Sequence, residues 1–96
     1  MNSLPTIPLF SPGQIVATPG ALALLEQANK SPLEFISRHF RGDWGDLGQD
    51  DKAENELSLK CGFRLMSSYQ VTETEKLWII TEADRSVTTL LLPSEY

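Results

Sequence analysis

The chain has 96 residues, which is the size of one small domain, and its content of 41% hydrophobic and 22% charged residues is typical of globular proteins rather than of disordered chains. Eight Lys and Arg against 13 Asp and Glu give a formal net charge of −5, so the chain lacks the basic excess of a general nucleic-acid binder. The sequence has no apolar run of the roughly 20 residues that cross a bilayer, and no membrane partner is expected.

Residues 1–13 are predicted to form an extended arm, and residues 14–96 a single α+β domain. Prolines at positions 5, 8 and 12 interrupt the arm, because proline lacks a backbone N–H and breaks helices and central strands. The start of the chain has neither a basic nor an apolar leader segment, which predicts a cytoplasmic protein. Residues 14–17 are a candidate short strand.

Two or three helices are predicted to follow. The first spans residues 18–29, where Thr as N-cap precedes Pro at the first helical position. The second spans residues 31–42 and begins with Ser-Pro-Leu-Glu, which has the pattern of a capping box. The third is short, and Asp50 or Asp51 is expected to cap it. Its buried face is predicted to consist of Ala53, Leu57 and Cys61.

From residue 63 onward the hydrophobic pattern has a period of two, which predicts strands. The predicted strands are residues 63–71, 76–81 and 86–92. Because the connections between them are short and polar, we expect an antiparallel meander with Trp78 and Ile80 on its central strand. The predicted fold is therefore α+β, with two to three N-terminal helices packed on a three-stranded antiparallel meander that residues 14–17 would extend to four strands.

The excess negative charge is concentrated in residues 43–57, where six acidic residues stand against Lys52 alone. Such a stretch is either an exposed loop and helix that keep the protein soluble or a contact for a basic partner surface. Trp44, which lies between two glycines in this loop, either anchors the loop or contacts the partner. The candidate partner-binding residues are Asp43, Trp44, Asp46, Asp50, Asp51 and Glu54. Their spacing does not match an EF-hand, and no metal or cofactor is predicted.

A second set of residues has the chemistry of a catalytic site. His39, the only histidine, titrates near neutrality and suits a general acid or base. Arg64 has a guanidinium that neutralises phosphate charge, and Thr88 offers a hydroxyl on the last strand. Each also has an ordinary structural interpretation, because the dipole at a helix C-terminus favours a histidine and strand polar residues commonly face solvent.

Three stretches with distinctive sequences resemble those of a known group of proteins. The stretches are Arg38-His39 followed by Gly42-Asp43-Trp44-Gly45, then Asn55-Glu56-Leu57, then residues 78–89, Trp-Ile-Ile-Thr-Glu-Ala-Asp-Arg-Ser-Val-Thr-Thr. Over about residues 18–96, the chain resembles small bacterial proteins found on plasmids and integrated elements. The resemblance implies a mobile-element setting and brings no established activity with it.

The predicted order of strand, helices and meander is also similar to that of the compact ribonucleases of the RelE, barnase and colicin group. Those enzymes use a His, Arg and hydroxyl constellation on such a sheet, and His39, Arg64 and Thr88 are the residues of matching type here. The acidic balance of the chain is a departure, because RNA cleavage usually needs a basic cradle.

Two functional hypotheses follow. In the first, the protein is a non-enzymatic accessory factor of a mobile element whose residues 43–57 bind a basic surface of a host or element-encoded protein, for example a host defence nuclease. In the second, it is a ribonuclease-like enzyme that uses His39, Arg64 and Thr88, and nucleic acid is expected as a partner only in this case. The ribonuclease hypothesis requires the side chains of His39 and Arg64 to meet in one cleft.

Overall fold

The computed structural model describes residues 8–96, and within that range the chain folds as an α+β structure of three α-helices and a four-stranded mixed sheet. The elements in chain order are β1 (Gln14–Ala17), α1 (Pro19–Gln27), α2 (Pro32–Phe40), α3 (Gln49–Cys61), β2 (Leu65–Gln70), β3 (Lys76–Thr81) and β4 (Val87–Leu91), followed by a 3₁₀ turn at Pro93–Glu95. None of the helices in this range is both long and apolar enough to span a membrane.

The sheet has the strand order β1-β4-β3-β2. β2, β3 and β4 form the predicted antiparallel meander, but β1 pairs with β4 in parallel, so the prediction of a wholly antiparallel sheet is wrong. The helices also lie between β1 and β2 rather than ahead of every strand. They carry the chain to the far edge of the sheet, where β2 starts in the direction of β1. Two hairpin reversals then return β4 in that same direction.

The first two helices begin at the residues that the sequence indicates. Thr18 Oγ1 accepts a hydrogen bond from the Ala21 N–H at 3.1 Å, and Ser31 Oγ accepts one from the Leu33 N–H at 3.2 Å. A proline occupies the first turn of each helix, where its missing N–H removes no intrahelical bond. Gly42, with φ +84°, follows α2 in the left-handed conformation that glycine adopts without strain. The predicted starts of both helices are confirmed, but the predicted capping box does not form, because Ser31 Oγ bonds the Leu33 N–H and the Glu34 N–H donates to the Ser31 carbonyl instead.

Helix α3 differs from its prediction. It starts at Gln49 with Gly48 as N-cap, so Asp50 and Asp51 lie in its first turn instead of capping it. Its 13 residues make it the longest of the helices in the described chain. The predicted buried face is wrong, because Ala53, Leu57 and Cys61 are exposed. The buried side chains are those of Asn55 and Ser58. α3 lies along the edge of β2, where polar backbone groups rather than an apolar surface need partners.

The main core lies between the sheet and helices α1 and α2. Its buried apolar residues include Leu24, Leu25, Phe35, Ile36 and Phe40 from the helices, and Tyr69, Leu77, Ile79 and Leu90 from the sheet. On the opposite face, Ile80 and Leu91 are buried, and Trp78 is half-buried with its ring 5.7 Å from that of Tyr96. Trp78 and Ile80 therefore lie on an interior strand, as predicted.

The described part of the predicted arm, residues 8–13, packs on the core. The Phe10 ring lies 5.3 Å from the rings of both His39 and Phe40, in edge-on geometry. The Leu9 N–H donates to the Phe40 carbonyl at 2.9 Å, although the Leu9 side chain is exposed. The part of the arm prediction that concerns residues 1–7 lies outside the described residues.

Candidate functional site

His39 is the centre of a chain of hydrogen bonds inside the core. Its Nδ1 lies 2.6 Å from Ser67 Oγ, and its Nε2 lies 3.0 Å from Thr81 Oγ1. Thr81 Oγ1 is 2.8 Å from Thr88 Oγ1, whose hydroxyl donates to the Pro12 carbonyl at 2.8 Å. His39, Ser67, Thr81 and Thr88 are all 0% exposed. This series of hydrogen bonds therefore joins α2, three strands and the arm.

The direction of every bond in this chain follows from its last acceptor. A carbonyl only accepts, so the single hydroxyl proton of Thr88 is committed to Pro12. Thr88 must then accept from Thr81, and Thr81 must accept from an Nε2–H of His39. The Nδ1 atom is left to accept the Ser67 proton. A neutral imidazole thus satisfies every group, and burial lowers the pKa of His39 to about 3.

Arg64 lies apart from this network. It is exposed immediately before β2, and its guanidinium lies 5.4 Å from the centre of the Tyr96 ring. Side chains alternate along a strand, so Arg64 and Met66 lie on the face opposite to Ser67, which bonds His39. The structure therefore brings Thr88 to His39 through Thr81 but places Arg64 elsewhere. His39 and Thr88 have no exposed surface that a substrate could reach.

Asp43 fixes the loop that follows α2. Its carboxylate accepts from Arg38 Nε at 2.7 Å, from Arg38 Nη2 at 3.4 Å and from the Gly45 N–H at 3.1 Å. The hydrogen bond from Arg38 lowers the pKa of Asp43 below its usual value. The Tyr69 hydroxyl donates to the Asp43 carbonyl at 2.7 Å, and the Arg38 guanidinium stacks 4.6 Å from the Tyr69 ring centre. Asp43 is thus engaged within the chain.

Trp44 anchors the same loop against the edge of the sheet. It is 3% exposed, and its Nε1–H donates to Glu56 Oε2 on α3 at 2.9 Å. The Ser68 N–H donates to the Trp44 carbonyl at 3.2 Å, and the Asp46 N–H donates to the Ser68 carbonyl at 2.7 Å. Gly45, with φ +77°, allows this approach, because a Cβ there would collide with the Ser68 carbonyl. Of the two interpretations of Trp44, the structure supports the one in which its side chain anchors the loop.

Two further side chains complete the edge of β2. Asn55 Nδ2 donates to the Met66 carbonyl at 2.6 Å, and Asn55 Oδ1 accepts from the Met66 N–H at 3.2 Å. Asp46 Oδ2 accepts from the Gln70 N–H at 2.8 Å. Alternate residues of this edge strand are thereby paired, and it presents no open ladder to other chains. Asn55 was missed as a structural residue, although an Asn inside a helix is itself a signal, because its side chain disfavours that position.

Arg85 connects α3 to the hairpin between β3 and β4. Its Nη2 donates to the Ser58 carbonyl at 3.0 Å, and its Nη1 donates to the Phe63 carbonyl at 2.7 Å. The Ser58 carbonyl also accepts from the Gly62 N–H, so Arg85 adds a cationic donor at the C-terminus of α3. Arg85 has φ +61° and thus adopts the left-handed conformation. The Thr-Glu-Ala-Asp-Arg-Ser stretch of the resemblance therefore contributes a structural clamp.

The remaining candidate partner-binding residues are exposed on the first turns of α3. Asp50, Asp51 and Glu54 make no ion pair or side-chain hydrogen bond with any residue from 8 to 96. Asp51 and Glu54 border a pocket of about 230 Å³ between α3 and the start of β2. The pocket is lined by Leu47, Asp51, Glu54, Asn55, Ser58, Arg64 and Met66.

A larger groove of about 510 Å³ lies between α2 and β1. Its lining residues are Pro8, Ile15, Leu33, Ile36, Ser37 and Phe40. This groove is apolar apart from one serine and offers no titratable group for catalysis. Within the described residues, His, Cys, Asp and Glu nowhere form a group of three or more that is arranged to hold a metal ion.

Comparison of the chain with protein-family models, with curated proteins and with solved structures gave no match. The resemblance to mobile-element proteins therefore stays a prediction, and a functional proposal depends on the residues described above.

Proposed function

We propose that the protein acts by protein–protein interaction and binds a basic surface of its partner through the carboxylates of α3. The observation that carries this proposal is a division within the acidic segment. Asp43, Asp46 and Glu56 have hydrogen-bond partners inside the chain, whereas Asp50, Asp51 and Glu54 are exposed and have none among the described residues. The second group has no internal hydrogen bond to give up on binding, so we assign the contact to these three carboxylates rather than to all of residues 43–57.

The arrangement suits electrostatic recognition. Asp50, Asp51 and Glu54 lie within five consecutive residues of one rigid helix, so their charges are held close together. A concentrated negative patch attracts a basic surface, speeds encounter and rejects acidic surfaces. Ions screen such an attraction, so binding should weaken as salt increases. Exposed charges contribute little to folding, which leaves this patch free to serve recognition.

The resemblance to plasmid and integrated-element proteins supports a partner from the host or from the element itself. Enzymes that bind nucleic acid present basic surfaces to the phosphate backbone. An acidic protein that covers such a surface competes with the nucleic acid. A host defence nuclease is the partner that we propose, in the cytoplasm.

The experiment compares two variants that change net charge equally. One carries Asp50→Asn, Asp51→Asn and Glu54→Gln on α3. The matched control removes three exposed carboxylates elsewhere, with Glu26→Gln, Glu73→Gln and Glu82→Gln. The full-length chain and both variants are immobilised, exposed to bacterial lysate, and eluted with increasing salt. Melting temperatures of all three proteins establish that folding is unchanged.

We expect the wild type and the control variant to retain the same basic protein and to release it at high salt, and the α3 variant to lose it. Equal loss in both variants would show that only the net charge matters. Equal retention in both would show that α3 is not the contact. Either result contradicts the proposal.

A further inference from the structure

We propose that the pocket between α3 and the start of β2 receives one arginine side chain of the partner, an inference that rests on the proposed function. The pocket of about 230 Å³ adjoins the exposed carboxylates of α3 and is lined by two of them, Asp51 and Glu54. A pocket at the centre of a charged contact, closed to solvent when the partner binds, is where an interface gains most of its energy.

The residues that line the pocket carry one more negative charge than positive charge. Asp51 and Glu54 contribute two negative charges, and Arg64 contributes one positive charge. They do not pair with one another, since the ion pair between Arg38 and Asp43 is the one that the described residues contain. The Arg64 guanidinium instead stacks over the Tyr96 ring. One additional cation would balance the pocket.

Ser58 provides an independent indication of a ligand. It is 6% exposed and lines the pocket, and within residues 8–96 its hydroxyl has no hydrogen-bond partner. No completely enclosed side-chain polar atom in the described chain lacks a partner, so this hydroxyl must open onto the pocket. This hydroxyl is therefore free to accept a hydrogen bond from a donor that enters the pocket. The neighbouring Asn55 directs its amide to Met66, through Nδ2 and through Oδ1.

The shape and chemistry of the walls favour arginine over lysine. Leu47 and Met66 provide apolar surface, against which the methylene stem of a long basic side chain packs. The planar guanidinium has five N–H donors, so it can face two carboxylates and a hydroxyl at once, whereas an ammonium is a compact point charge. Guanidinium is also less strongly hydrated, which reduces the penalty of leaving water.

The test uses a small probe on the full-length protein. Nα-acetyl-L-arginine N-methylamide is titrated against the isotopically labelled chain, and backbone amide shifts are followed by NMR. The corresponding citrulline amide has nearly the same shape without the positive charge. The lysine amide has the positive charge without the planar set of N–H donors. We expect shifts confined to the pocket residues, a dissociation constant on the order of 1 mM, and binding at least about tenfold weaker for citrulline and about threefold weaker for lysine.

Three variants distinguish pocket binding from general attraction. Ser58→Ala and Glu54→Gln should each weaken arginine-amide binding at least about threefold, because each removes one acceptor. Glu26→Gln is the control, since Glu26 is an exposed acid of α1 that neither lines the pocket nor belongs to the α3 carboxylates. It should change the affinity by less than about twofold. Equal binding of citrulline or lysine, or equal weakening by Glu26→Gln, would overturn the proposal.

Failure of this inference can be told from failure of the proposed function. If Ser58→Ala does not change partner capture or arginine-amide binding, whereas the three-carboxylate variant abolishes capture, the acidic patch acts and the pocket proposal is overturned. If the arginine amide binds in the pocket but partner capture persists in the three-carboxylate variant, the assignment of the pocket to a basic partner is overturned together with the proposed function.

Discussion

Mild acid should destabilise this protein through its only histidine. Burial lowers the pKa of His39 from the ordinary value of 6.5 to about 3. In the unfolded chain the imidazole takes up a proton as pH falls through about 6.5, while the folded protein remains unprotonated until about pH 3. Unfolding therefore binds a proton between these values. The stabilisation is complete above the unfolded pKa and declines as pH falls below it.

The magnitude follows from the two pKa values. At pH 5 the unfolded imidazole is protonated in a ratio of about 30 to 1, while about 1% of the folded protein carries the proton. The free energy of unfolding should then be about 2 kcal/mol lower than at pH 8, and about 3 kcal/mol lower at pH 4. For a domain whose total stability is on the order of 5–15 kcal/mol, this is a large loss.

Two measurements check this expectation. Urea unfolding at several pH values between 8 and 5 gives the free energy for the wild type and for His39→Gln, which does not titrate. The advantage of the wild type over the variant should shrink by about 2 kcal/mol across this range. The imidazole Hε1 resonance of the folded wild type should not move over the same range. A folded-state midpoint near pH 6.5, or a constant difference between the two proteins, would refute the buried neutral network.

Three further predictions concern the edge of β2. Gly45→Ala should lower stability by at least about 2 kcal/mol in urea unfolding, because a Cβ at φ +77° is strained and would also collide with the strand backbone. Asn55→Ala should lower it by about 2 kcal/mol and accelerate amide exchange at Met66, whose N–H and carbonyl lose their partners. Asp46→Ala should lower stability by about 1 kcal/mol, whereas Asp50→Asn should change it by less than about 0.5 kcal/mol, and equal effects on melting would contradict the division of the acidic segment.

The elements that the sequence predicted well are those set by neighbouring residues. Thr18 and Ser31 cap helices through bonds that reach two or three residues along the chain. The period of two from β2 to β4 likewise records which side chains face the core. The parallel pairing of β1 with β4 depends on residues about 70 positions apart, such as Gln14 and Val87, and no local pattern encodes it.

The candidate site was harder to predict for the same reason. Asp46 and Asp50 are four positions apart and look alike in the sequence, yet Asp46 bonds a strand 24 residues away and Asp50 bonds nothing in the described chain. Trp44 and Asn55 likewise owe their roles to partners on other elements. Residue type alone identified His39 as titratable but could not indicate that burial would hold it neutral.

The polar residues that make the sequence distinctive are largely bonded to one another. Arg38 pairs with Asp43, Trp44 with Glu56, and His39 with Thr81, and Arg85 binds the C-terminal end of α3. Each of these residues makes an internal contact. A resemblance that depends on them is therefore informative about how the chain folds rather than about what it binds. On and around α3, the groups that no internal contact occupies are the three carboxylates and the Ser58 hydroxyl, beside the pocket. We therefore expect substitutions of these groups to affect binding, whereas changes to the bonded set should register first as lost stability.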